Sequence, residues 1–169
     1  MIVQKEREIY QKAAKCFELL NKSIQLFEGY LREASPQNAP DYYRARNFLR
    51  DGETFFKETL NEARRLLGPA PIYTSQEFEK RRIQFLEDGK ILAKSQDFND
   101  LKAELQMDGN LKPFLQEAEI ENLLRTYYDL QQTGKRKLAN IKIRMLVAKI
   151  HSVLAKAQDL QKESLKKHQ

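Results

Sequence analysis

The chain contains no Trp and one Cys in 169 residues, with only six Gly and five Pro. A single Cys excludes an internal disulfide framework and any cysteine-based zinc finger. Only two His accompany it, and the carboxylates are scattered, so no metal set stands out and no cofactor is expected. No stretch approaches the roughly 18 consecutive apolar residues of a membrane-spanning helix. The opening residues Met1-Ile2-Val3-Gln4-Lys5-Glu6 lack the apolar run of a secretory signal. These absences lead to the expectation of a cytoplasmic protein without a membrane role. No window alternates apolar and polar residues for long enough to argue a strand.

What remains is helical periodicity, and it predicts an all-α bundle of five to six helices. The first helix is expected over residues 2–34, with Ile9, Ala13, Cys16, Leu20, Ile24, Phe27 and Leu31 on one face. At 1.5 Å per residue it would be about 50 Å long, too long to be stable without a partner helix or a second chain. Pro36 and Pro40 break it. A second helix over 41–67 carries Ala45, Phe48, Phe55 or Phe56, Leu60, Ala63 and Leu67, and Gly68-Pro69-Ala70-Pro71 ends it. Two domains are therefore expected: an N-terminal hairpin over 1–68 and a C-terminal bundle over 72–169, unless both form one continuous domain. Within the second part, helices are expected over 74–95, 98–107, 113–130 and 137–165. Asp108-Gly109-Asn110 reads as a turn, and Pro113 as a first helical residue. Phe48-Leu49-Arg50-Asp51-Gly52 recurs as Phe85-Leu86-Glu87-Asp88-Gly89. A glycine inside a helix costs about 1 kcal/mol against Ala, so both copies suggest close helix approach.

Catalytic chemistry finds little footing. Cys16 falls on the apolar stripe and reads as core rather than nucleophile. His151 has no acidic neighbour one turn away, and His168 is expected to fray. Without strands, no phosphate-binding Gly-rich loop can follow one. No enzyme is expected. The pairs Tyr42-Tyr43 and Tyr127-Tyr128 should each bury one ring and bring the other to an edge. Beside Arg44 and Arg46, or Arg125, an exposed ring can stack on a nucleic-acid base.

The charge is uneven. Residues 135–169 hold ten Lys or Arg against only Asp159 and Glu163. Lys142, Lys149 and Lys156, seven residues apart, share one side of the last helix, and Lys135, Arg136, Lys137 and Arg144 extend it. A solvated helix usually mixes signs, whereas a stripe of one sign attracts polyanions. The alternative is that the stripe pairs with acidic residues of its own bundle or of a protein partner. The first reading gives a non-catalytic subunit binding RNA or single-stranded nucleic acid inside a ribonucleoprotein. The second gives a helical protein–protein interaction module or adaptor with no nucleic-acid role. Other subunits, or a second copy, would dock on the long first helix.

The run Leu115-Gln116-Glu117-Ala118-Glu119-Ile120-Glu121-Asn122-Leu123-Leu124-Arg125 ends in Leu-Arg, and Leu138-Ala139-Asn140-Ile141-Lys142-Ile143-Arg144-Met145-Leu146 follows as a basic helix. Together, within residues 111–156, they resemble the small helical subunit of type III CRISPR effector complexes. The resemblance implies a filament subunit of an antiviral defence complex, stacked along guide RNA. It implies Arg125, Lys142 and Arg144 as contacts to the RNA backbone.

Overall fold

The computed structural model describes residues 2–67, 96–127 and 135–168. They form an all-α protein: α1 (Ile2–Arg32), α2 (Ala39–Leu67), α3 (Gln96–Gln106), α4 (Glu117–Tyr127) and α5 (Lys135–His168), with a 3₁₀ turn at Pro36–Asn38. The expected helix over 74–95, the second copy of the glycine motif and the expected boundary at 68–72 lie outside the described residues. The chain groups into two compact units, neither of them continuous. One comprises Arg7–Glu62 and Ile150–Gln169; the other comprises Met1–Glu6 and Ala63–Lys149.

The first of these units rests on the pairing of α1 with α2. Ile9, Ala13, Cys16, Leu20, Ser23, Phe27 and Tyr30 are buried along α1, stepping alternately by four and three. Tyr42, Ala45, Leu49, Gly52, Phe56 and Thr59 do the same along α2. That heptad spacing is the pattern of a coiled-coil seam. The helices run antiparallel. The Cys16 thiol donates to the Gly52 carbonyl at 3.3 Å, the Ser23 hydroxyl to the Ala45 carbonyl at 2.9 Å, and Phe27 meets Tyr42 edge-on at 6.1 Å. The last part of α5 lies antiparallel to α2, as Phe56 meets His151 at 5.4 Å and Tyr42 meets His168 at 4.3 Å.

The seam corrects the α2 face expected from hydrophobicity. Phe48 and Leu60 are only half-buried, while Tyr42 and Leu49 are buried. Phe48 instead receives the Lys22 ammonium 5.6 Å from its ring centre. At Gly52 the close approach is observed, because a Cβ there would lie 2.7 Å from Leu20 Cδ2 and 3.0 Å from its Cγ.

In the other unit, α3 ends at a turn built on Asp108. Its Oδ1 accepts the N–H groups of Asn110 at 2.8 Å and Leu111 at 3.2 Å. This is an Asx turn. Pro113 does not open the next helix. Leu111 and Leu115 are both buried, and the chain makes one more tight turn between them, with the Phe114 and Leu115 N–H groups donating to the Leu111 carbonyl at 2.9 Å. α4 starts at Glu117, where Glu119 reaches back to accept the Gln116 N–H at 3.2 Å, like the returning half of a capping box.

Two predictions follow from the seam. Gly52→Ala gains helix propensity but overpacks Leu20, and should destabilise the protein by about 1 kcal/mol in urea unfolding. In a Leu20→Ala background the same change should stabilise it, because the added methyl then fills space. Burial pushes the Cys16 thiol up to about 12. Native protein at pH 8 should therefore resist iodoacetamide, and alkylation should appear only with unfolding.

Candidate nucleic-acid interface

Helix α5 carries most of the cations singled out from the sequence, and its two parts differ. From Ile141 to Ile150 it is apolar on nearly every side. Ile141, Ile143, Met145, Leu146, Val147, Ala148 and Ile150 are all buried. A helix apolar all round is an interior helix. Lysines on it need partners, since burying an unpaired ammonium is costly.

Each lysine of this segment has one. Lys142 Nζ lies 2.6 Å from Asp108 Oδ2, with side chains 15% and 12% exposed. Lys149 Nζ lies 2.7 Å from Glu119 Oε2. Burial resists ionisation of Asp108, but the Lys142 ammonium and the N–H groups of Asn110 and Leu111 outweigh it and hold the carboxyl below its ordinary value. Arg144 is buried. Arg125, on α4, pairs with Glu121 one turn earlier at 3.0 Å. The side chains of Lys135, Arg136 and Lys137 lie outside the described residues. So Lys142 and Lys149 do share one side of α5, and what faces them is a carboxylate of their own unit.

In the other unit α5 is amphipathic and its cations reach solvent. Lys156 is exposed and meets Glu28 only loosely, at 3.5 Å. Lys162, Lys166 and Lys167 are all exposed. No carboxylate of the described residues pairs with any of these three, and Lys167 Nζ donates to the Leu31 carbonyl at 3.1 Å.

The end of α5 does not fray. His168 lies flat on Tyr42 at an interplanar angle of 16°. Its Nδ1 is 3.3 Å from the Tyr30 hydroxyl and its Nε2 is 3.0 Å from the Tyr43 hydroxyl. Both ring nitrogens have partners and one ring face is covered, which anchors the last turn. The tyrosine pair divides as its helical spacing requires, with Tyr42 2% and Tyr43 49% exposed. Tyr128 is outside the described residues. His151 packs edge-on against Phe56. Among the described residues no group of three or more His, Cys, Asp or Glu could hold a metal, and no helix is long and apolar enough to cross a membrane.

The Lys142–Asp108 pair generates its own test. Lys142→Met leaves the largely enclosed Asp108 carboxylate beside no cation and should cost about 2 kcal/mol. In an Asp108→Asn background, where the turn's hydrogen bonds survive, it should cost much less. Because the Asp108 pKa is depressed on folding, its stabilisation is complete above the ordinary value of 3.8 and is lost as pH falls through the folded value. Acid unfolding of Asp108→Asn should therefore show a shallower loss below pH 4 than the parent. The chain matches no protein-family profile, no curated protein and no solved structure.

Proposed function

We propose that the protein is a non-catalytic helical subunit that binds the backbone of RNA or single-stranded nucleic acid within a larger assembly. The observation that supports it is the set of solvent-facing cations at the end of α5: Lys162, Lys166 and Lys167, exposed and without a carboxylate partner among the described residues. Arg32, exposed in the last turn of α1, adjoins Leu31, whose carbonyl Lys167 reaches. Phosphates would bind there without breaking an existing ion pair. The resemblance of residues 111–156 to the type III CRISPR small subunit is consistent with a ribonucleoprotein setting. However, Arg125 and Lys142, two of its three implied RNA contacts, are held by Glu121 and Asp108, and the third, Arg144, is buried.

One observation favours the second reading, a helical protein-interaction module. Asp108 and Glu119 already neutralise Lys142 and Lys149, so the seven-residue stripe needs no polyanion to explain it.

Anisotropy with a labelled single-stranded RNA 20-mer separates the two. Binding at 50 mM salt should weaken steeply by 200 mM. Lys162/Lys166/Lys167→Gln should lower the log–log salt slope by about 2, at roughly 0.7 per phosphate contact on a single strand. An absence of binding at 50 mM, or an unchanged slope, would overturn the nucleic-acid reading. Self-association in light scattering would then favour the module.

A further inference from the structure

The same end of the α1–α2–α5 unit carries a second feature, aromatic rather than ionic. Tyr43 is the exposed aromatic side chain of the described residues. Its two ring neighbours meet it steeply: Tyr42 at 73° and 5.4 Å, and His168 at 89° and 5.3 Å. Neither is stacked on it. Its hydroxyl is tied to His168 Nε2, so the ring is held in one orientation although it stands half in solvent. Leu165, also exposed, precedes His168 by one helical turn on the same face of α5.

Cations adjoin this ring in sequence or contact its neighbours. Arg44, the next residue, is 63% exposed and only loosely paired with Asp41 at 3.7 Å. Arg46 sits 5.9 Å from the centre of the Tyr42 ring. Lys166 and Lys167 stand beside His168 on α5. Asp41 is the carboxylate that meets one of these cations, and Glu163 is the one nearest His168 along α5. An anionic partner with flat apolar groups matches this combination, and unpaired nucleotides have both. Bases in a duplex are already stacked on one another and present only phosphate to such a surface.

We propose that Tyr43 is a base-stacking platform for single-stranded nucleic acid, with Arg44, Arg46 and Lys166 taking the flanking phosphates. This rests on the nucleic-acid reading above and adds to it a choice of single strands over duplex. Phosphate contacts alone would bind both forms, whereas a stacked base requires the unpaired one.

The test compares a labelled 12-nucleotide single strand of oligouridine with a 12-base-pair RNA duplex, both at 50 mM salt. Tyr43→Ala should weaken single-strand binding about tenfold, the range expected for losing one stacked base, and change duplex binding less than twofold. Tyr43→Phe should keep most single-strand affinity, since the ring remains. Tyr43→Trp should match or exceed the parent. Because the Tyr43 hydroxyl also holds His168, thermal unfolding of each variant checks that the fold is kept, and the Tyr43→Phe variant, which loses that bond but keeps the ring, separates stacking from anchoring. Equal losses for both forms, or no loss for Tyr43→Ala, would overturn the stacking role while leaving phosphate binding in place. Failure of the parent to bind either form would overturn the nucleic-acid reading and the platform with it.

Discussion

Two carboxylates each serve two purposes, and one of the two units depends on them. Asp108 uses one oxygen to close the turn after α3 and the other to hold Lys142. Glu119 uses one oxygen to start α4 at Gln116 and the other to hold Lys149. The local backbone and the tertiary pairing are therefore the same event. A charge-assisted bond is stronger than a neutral one, and a partly buried one is less screened by water. The helix being held is apolar nearly all round, so hydrophobic burial alone would leave its rotation about its own axis weakly specified. Two lysines seven residues apart, each meeting one fixed carboxylate, specify that rotation.

The other unit solves the matching problem differently. The α1–α2 seam uses small residues, Ala13, Cys16, Ser23, Ala45 and Gly52, all of them buried. Small side chains let the backbones approach, and the Cys16 and Ser23 side chains then reach carbonyls on the facing helix. Those bonds have a defined partner only at one register, so they add specificity to a surface whose apolar contacts are shallow. At one end of the seam the small residues give way to Phe27, Tyr30 and Tyr42. There the width is filled by rings, and His168 closes the stack.

Much of this was legible in the sequence, and the exceptions have physical causes. The helices at both ends of the chain, the turn at Asp108 and the buried stripe of α1 follow from periodicity and turn chemistry. The close approach at Gly52 follows from the cost of glycine in a helix. Ser23 and Thr59 escaped because a hydrophobicity pattern discards polar residues, although a small hydroxyl is easily buried once it bonds a carbonyl. Phe48 was placed on the α2 stripe and Leu49 was not, whereas the heptad buries Leu49. Lys142 and Lys149 share one side of α5, as a spacing of seven requires. Their partners were not visible, because Asp108 and Glu119 are distant in sequence and Asp108 read as a turn residue. His168 was read as an end residue, since its three tyrosine neighbours come from two other helices.

The division of cations on α5 bears directly on where a polyanion can act. To contact Lys142, a phosphate would have to replace Asp108 in a site where both side chains are largely enclosed. The incoming anion would lose much of its hydration and strand a largely enclosed carboxylate, and each step opposes binding. Around Lys162 and Lys166 neither penalty arises. A phosphate there would keep most of its water and displace only mobile counterions, whose release would favour association. The same charge on one helix thus divides into cations paired within the fold and cations exposed to solvent. Burial, and not position along the heptad, draws the line between them.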